Sequence, residues 1–191
     1  MVSEEELKTM SPEQIAEMQK QNCVFCHIVT GKVQSKKVFE DDKVVAILDI
    51  NPANPGHVLL LPKEHYSIMP LVPENVLGHM FMVAKAISSA CLKALQVQGT
   101  NIFVANGAIA GQKAPHFMIH IIPRKEKDGL DAIFKPQHKQ ISAADQEQVW
   151  VRLKQKINQV FGIKEEIEQP YLEYQKPEEG TVIDADRKSV V

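Results

Sequence analysis

Few of the features that would commit a chain to an unusual environment are present here. Charge is nearly balanced: 22 Lys+Arg against 24 Asp+Glu leave a formal net charge of −2. Electrostatics therefore give no reason to expect nucleic acid or an anionic membrane as partner. No apolar run approaches the ~20 residues of a membrane span. The opening Met1-Val2-Ser3-Glu4-Glu5-Glu6 is acidic and lacks the basic and apolar regions of a secretory signal. Cysteine is scarce: three residues, an odd number with one close pair, suit a reducing compartment better than a disulfide framework. No internal repeat is evident, G-x-G-x-x-G is missing, and Gly107 to Lys113 fails the P-loop spacing. The expectation that remains is a cytoplasmic protein whose 191 residues suffice for one domain with a real core, plus appendages.

What is present organises the chain into four parts. Residues 1–21 read as an N-terminal helical extension, with Ser11 as N-cap, Pro12 at the first helical position and Gln14 closing a capping box. The main domain spans 22–125. In it, Val38 to Ile47 reads as two strands around an acidic turn, and His57 to Leu61 as a third. A long helix runs from about Glu74 to Gln96, with Val76, Met80, Val83, Ile87, Ala90 and Ala94 at helical spacing. Thr100 to Ala105 and His116 to Ile122 supply two more strands. That order predicts an α+β fold with a mainly antiparallel five-stranded sheet and one long helix. Residues 126–163 hold a polar linker and a helix from Ser142 to Gly162, whose stripe of Val149, Leu153, Ile157 and Val160 is expected to pack. Residues 164–191 are charged and proline-punctuated, an extended or disordered tail.

The densest chemistry lies in Gly111-Gln112-Lys113-Ala114-Pro115-His116-Phe117-Met118-Ile119-His120-Ile121-Ile122-Pro123. A strand's period of two puts His116, Met118 and His120 on one face. The outer pair is then about 13 Å apart at ~3.3 Å per residue, too far to share one ion or one proton. The two histidines must do different jobs. Upstream, Cys23-Val24-Phe25-Cys26 places two thiols where both can reach one tetrahedral ion, a site needing two further ligands. A redox pair and two ordinary buried thiols are the alternatives. His27 is badly aimed to join the same ion. Cys91, mid-helix, reads as a small core residue, and His79 and His138 as ordinary surface or core residues.

Taken in order, Cys23–Cys26, Leu48-Asp49-Ile50-Asn51-Pro52, Pro55-Gly56-His57, Lys63-Glu64-His65, Ala105-Asn106-Gly107 and the His116–His120 strand resemble the histidine triad family. These are nucleotide-binding hydrolases and transferases with the signature His-x-His-x-His followed by apolar residues. The resemblance covers about residues 22–125, and Met118 stands where the family carries its middle, nucleophilic histidine. It implies Zn2+ held by Cys23, Cys26, His65 and His116, as in zinc-bearing bacterial and archaeal relatives. It further implies a purine nucleotide of the AMP or GMP type, with Gln112 and His120 at the phosphate, Asp49 at the ribose hydroxyls and Asn106 in the phosphate-side loop. Phe25, Ile28 and Ile47 would make the base slot, though core residues would look the same. His57 would support the nucleophile from behind or make a structural hydrogen bond, and Lys113 would add a phosphate contact or be solvated. A homodimer through the long helix and an edge strand is also implied.

Met118 decides the mechanism expected. Imidazole attacks phosphorus well and leaves well near pH 7. A thioether would give an unstable sulfonium, and losing a covalent nucleophile costs on the order of 10⁴–10⁶ in turnover. Three readings follow. The first is a nucleotide-binding protein with weak or no covalent catalysis. The second is a hydrolase of phosphoramidates or dinucleoside polyphosphates using direct water attack or His120. The third is a zinc-stabilised protein-interaction module.

Overall fold

Ser11 begins the first helix as its residue type requires. Its hydroxyl accepts the Gln14 N–H (3.3 Å) while its own N–H donates to Gln14 Oε1 (2.8 Å), closing the expected capping box. The computed structural model describes residues 10–130 and 141–163. Readings that fall on 1–9, on 131–140, His138 included, and on the 164–191 tail lie outside the described residues. The chain divides into two units, Met1–Lys135 and Pro136–Val191, each taken here by itself.

In the first unit, helices α1 (Pro12–Gln21) and α2 (Val24–Val29) precede strands β1 (Lys37–Glu40), β2 (Val44–Leu48) and β3 (Val58–Pro62). Helix α3 (Glu74–Ala94) and strands β4 (Gly99–Phe103) and β5 (Ile119–Arg124) complete it. The sheet order is β1-β2-β3-β5-β4, and every neighbouring pair is antiparallel. The α+β fold with one long helix is the one expected. The turn between β1 and β2 is built by Asp41, whose Oδ1 accepts the Lys43 and Val44 N–H groups at 2.9 and 2.8 Å.

Both faces of the sheet's centre are covered, which is why β2 and β3 read as continuous apolar runs rather than alternating ones. On one face, Val44, Ala46, Val58, Leu60, Phe117, Ile119 and Ile121 pack with Met80, Val83 and Ala84 of α3. On the other, Ile28 of α2 packs with Val45, Ile47, Leu59 and Leu61, joined at its margin by Phe25, Val29 and Met118. The segment 116–121 therefore divides cleanly: odd positions face α3, even positions face the other way. Regular pairing starts only at Ile119. Ahead of it, the Phe117 N–H donates to the Tyr66 carbonyl outside the ladder.

Helix α3 ends at Ala94, two residues before the expected limit. Its buried line runs Met80, Val83, Ala84 and Cys91, with Ile87 partly covered, while Ala90 and Ala94 are exposed. Spacings of four, three and four from Met80 through Ala84, Ile87 and Cys91 follow the 3.6-residue period, and Ala90 and Ala94 fall off that line. Cys91 is a small core residue, as read. One expectation needs correcting: over 18 residues this 21-residue helix reaches a mean hydropathy of 1.2, enough by length and composition to cross a bilayer. Met80, Val83 and Ala84 pack against the sheet, while Phe81, Met82 and Leu92 are exposed.

The second unit contributes α4 (Ala143–Phe161), capped by the Ser142 hydroxyl accepting the Asp145 N–H at 3.1 Å and ended by Gly162 at φ 65°. Val149, Leu153, Ile157 and Val160 remain exposed. The packing partner expected for that stripe is not found within its own unit among the described residues.

Candidate functional site

Two clusters of chemically active side chains lie on the even-numbered face of the 116–120 segment, one at each end. At the first end, Cys23 caps α2 and Cys26 lies within it. His65 follows β3 and His116 precedes β5, and the ligand atoms of all four lie within 4.8 Å of one another. Cys23 Sγ is 3.4 Å from His116 Nδ1, and Cys26 Sγ is 3.2 Å from His65 Nδ1 and 3.6 Å from His116 Nδ1. Around a tetrahedral ion with metal–sulfur distances of about 2.3 Å and metal–nitrogen distances of about 2.0–2.1 Å, sulfur and nitrogen ligands stand ~3.6 Å apart. The donor set thus has the size and shape of a metal site.

The protonation pattern agrees. His116 Nε2 donates to the Pro62 carbonyl at 3.0 Å, leaving the Nδ1 lone pair turned toward both sulfurs, as an outer-shell carbonyl does for a metal-bound imidazole. Burial pushes the His116 pKa down to about 4, so the ring is neutral. His65 turns Nδ1 toward Cys26 Sγ, which leaves Nε2 buried with no hydrogen-bond partner, a place for an outer-shell water. In the metal-free protein, burial and the adjacent Cys23 push the Cys26 thiol up to about 12. The four residues could hold a metal ion.

At the other end, Asp49, His57 and His120 meet. Leu59 of β3 pairs with His120 of β5 in the antiparallel ladder, and His57, two residues before Leu59 on the same face, lies diagonally across from His120. His57 Nδ1 accepts the Ala53 N–H at 3.2 Å, so in the neutral ring the proton resides on Nε2. That Nε2–H donates to His120 Nδ1 at 3.0 Å, and His120 in turn carries its proton on Nε2. Burial lowers both pKa values, with His57 a further lowering influence on His120 and Asp49 opposing in each case. Both rings are therefore neutral at pH 7. Asp49 Oδ2 stands 3.3 Å from His57 Nδ1, an ion pair only once His57 is protonated, while Oδ1 accepts the Asn51 N–H at 2.9 Å. His120 Nε2–H is left without a protein partner among the described residues. At neutral pH, His120 offers a donor at Nε2, and its Nδ1 lone pair is occupied by His57.

These residues open onto a cleft of about 610 Å³ lined by Phe25, Asp49, His57, Lys113, Met118 and His120 among others. The other sequence-predicted residues are placed differently. Ile28 and Ile47 lie in the buried cluster beneath α2 and do not line the cleft. Asn106 is also outside it, its Oδ1 accepting the Met69 N–H at 3.0 Å. Gln112 lines the wall, yet its amide is fully engaged. Its Oε1 accepts the Gly107 N–H (2.8 Å), and its Nε2 donates to the Ser67 and Ala114 carbonyls (2.6 and 2.9 Å). Gln112 holds the loop together; Phe25, Asp49, Lys113, Met118 and His120 are predicted residues that line the cleft.

Sequence reasoning missed several contributors. Phe103 of β4 pairs with His120 in the ladder, and the two rings lie 5.7 Å apart at 50°. Ile122 and Leu130 extend the apolar wall. Asp128 ties the loop ahead of His57 to β5, accepting from Asn54 Nδ2 (2.8 Å) and from Arg124 Nε and Nη2 (2.6 and 2.9 Å). The one signal for these was an Arg–Asp pair four apart that starts at the end of the last strand.

The sequence profile of the HIT domain matches residues 30–127, about half the chain. The adenylylsulfatase HINT3 of Arabidopsis thaliana is 45% identical over 109 residues, covering 57% of this chain but only 55% of the plant protein. Among solved structures, a zinc-bound histidine triad family protein from Mycobacterium smegmatis superposes with a TM-score of 0.57 at 29% identity, covering 75% of this chain and 98% of that one. A histidine triad nucleotide-binding protein from Candida albicans gives 0.64 at 28% identity, covering 73% and 99%. On its sequence profile, its relatives and its fold, this chain belongs to the HIT domain family.

Proposed function

We propose that the protein binds a purine nucleoside monophosphate in the Met118–His120 cleft and lacks efficient covalent catalysis, and that zinc held by Cys23, Cys26, His65 and His116 braces the cleft from one side. The observation that carries this is the shape and chemistry of the cleft. About 610 Å³ falls within the usual range for a small-molecule site. Its apolar wall of Phe25, Leu59, Phe103, Ile122 and Leu130 suits a base, Asp49 is at hand for ribose hydroxyls, and His120 Nε2–H is a donor for a phosphate oxygen. Met118 sits beside His120 with no nitrogen to offer phosphorus. Bound zinc would supply structural cross-linking only, and Cys23 and Cys26 would ligate as thiolates. Three free cysteines fit a reducing, cytoplasmic location, and a homodimer is part of the same proposal by family likeness.

A second reading, slow hydrolysis by direct water attack, is favoured by one observation. The chain from the Ala53 N–H through His57 to His120 presents a proton in the cleft, where it could pass to a leaving group. The same tautomers oppose His120 itself as the attacking group. The plant relative's name, an adenylylsulfatase, supports hydrolysis of a nucleotide anhydride.

The test is AMP and GMP titration by calorimetry, with turnover of adenosine phosphoramidate by the unaltered protein, Met118→His and His120→Ala. Saturable binding with turnover only in Met118→His is the expected result. No binding in large ligand excess overturns the proposal. Turnover by the unaltered protein that vanishes in His120→Ala selects the second reading.

A further inference from the structure

We infer that Asn54 and Asp128, neither of which lines the cleft, are positioning residues that decide which way His120 presents its proton. They hold the turn that keeps His120 Nε2 a donor rather than an acceptor. The inference rests on the nucleotide-binding reading above only for its effect on a phosphate; the protonation pattern itself needs no ligand.

Two groups compete for His57 Nδ1. The Ala53 N–H donates to it at 3.2 Å, which requires a lone pair there. Asp49 Oδ2, 3.3 Å away, would instead accept a proton from it. With the proton on Nε2, His57 donates to His120 Nδ1, and His120 donates from Nε2 into the cleft. With the proton on Nδ1, His57 Nε2 must accept from His120 Nδ1–H, and His120 Nε2 becomes a lone pair. Each ring keeps one proton in either pattern, exchanged through water, so no net charge moves. The carboxylate is the stronger attraction, since a hydrogen bond to a charged group outweighs a neutral one. The donor pattern therefore depends on the Ala53 N–H being held in place against it.

What holds it is a turn and the anchor of that turn. Asn54-Pro55-Gly56-His57 has the hydrogen bond, the second-position proline and the positive-φ glycine of a type II turn: the His57 N–H donates to the Asn54 carbonyl at 3.0 Å, and Gly56 sits at φ +86°. The Asn54 side chain pins the turn to the end of β5, its Nδ2 donating to the Pro123 carbonyl at 2.9 Å and to Asp128 Oδ2 at 2.8 Å. Asp128 is itself immobilised. Its side chain is 7% exposed, and it accepts two hydrogen bonds from Arg124 and one each from the Lys125 and Leu130 N–H groups. Ala53 enters this pinned turn and His57 leaves it, so the anchor fixes the amide and the ring together. Released from Asp128 and Pro123, the Ala53 N–H loses its fixed place, the carboxylate draws the proton to Nδ1, and the relay reverses.

The test is long-range 1H–15N correlation of the histidine rings in the full-length protein at pH 7, with signals assigned through His57→Gln and His120→Gln. The unaltered protein is expected to carry the proton on Nε2 of both rings. Asn54→Ala and Asp128→Asn should each move both protons toward Nδ1, and should weaken AMP binding about tenfold by removing the phosphate donor. Asn101→Ala removes the 2.6 Å partner of Arg124 Nη1 without touching the turn; it reports what loosening the same network does and should leave both tautomers in place. An Nδ1 proton on His57 in the unaltered protein, unchanged tautomers in both anchor variants, or an equal shift in Asn101→Ala overturns the inference. The first of these needs no variant, so a failure of either anchor variant to fold leaves the inference open to refutation. If AMP binds none of the proteins, or binds all equally despite a tautomer shift, the phosphate reading falls and the positioning role stands.

Discussion

Removing metal from the Cys23–Cys26–His65–His116 cluster should loosen one end of the fold while the sheet survives. The four ligands come from α2, the segment after β3 and the segment before β5, with the Cys–His contacts 39 to 93 positions apart in the chain. An ion there ties α2, which packs on the sheet through Ile28, to two segments already linked by the Phe117 N–H to Tyr66 carbonyl hydrogen bond. The ladder β2-β3-β5, in contrast, is held by backbone pairing and apolar clusters on both faces that do not need the ion. With free zinc a hundredfold above its dissociation constant, linkage stabilises the folded state by about 2.7 kcal/mol. For a domain of this size that is a midpoint rise on the order of 10 °C. The assay is a thermal melt of chelator-treated protein with and without added zinc, together with amide exchange mapped along the chain. Faster exchange is expected in 12–30 of the chelated protein, with β2, β3 and β5 still protected. Identical midpoints with and without zinc, or one equivalent of zinc retained by a Cys26→Ser/His116→Ala variant, would refute the reasoning.

Three further outcomes are expected. Gly56→Ala should cost about 1–3 kcal/mol in chemical denaturation, because Gly56 sits at φ +86° and a Cβ there would run into Leu95 and crowd Pro123; a neutral effect would mean the turn before His57 can relax. Phe117→Ala, removing a side chain only 1% exposed between the sheet and α3, should lose ~3–5 kcal/mol, and a loss under ~1 kcal/mol would contradict that packing. In metal-free protein, the stability that the buried neutral histidines contribute should be full above pH 6.5 and fall as pH drops from 6.5 toward 4. The His116 pKa is about 4 when folded against the ordinary imidazole value of 6.5, so the unfolded chain binds the proton first. His57, His65 and His120 shift in the same direction, and a denaturation midpoint flat across that window would count against buried neutral imidazoles.

Periodic and capped features are legible in the sequence. The Ser11 and Ser142 caps, the Asp41 turn and the alternation from His116 to His120 all depend on neighbours a few positions away, and sequence displays such neighbours directly. The separate destinations of His116 and His120 followed from strand rise alone. What stayed hidden depends on which strands lie side by side. The His57–His120 hydrogen bond requires β3 against β5 in one register, 63 positions apart. Phe103 reaches His120 only because β4 borders the same strand. Gln112 illustrates a different limit: a residue type suited to phosphate was committed to three loop bonds, and side-chain type alone does not reveal which partners are nearer. Ile28 and Ile47 show the same ambiguity for apolar residues, since slot and core demand identical chemistry.

The two-sided division of the segment 116–121 carries a consequence for how this stretch can change. Substitution at one position alters one contact, and Met118 sits between His116 and His120 without disturbing the placement of either. Inserting or deleting a single residue is another matter, because a period of two exchanges the faces. Imidazoles would turn toward Met80 and Val83, and Phe117 or Ile119 would face the cleft and the thiols. Length, more than composition, is therefore the inherited constraint on this strand: its letters can drift, and its count cannot.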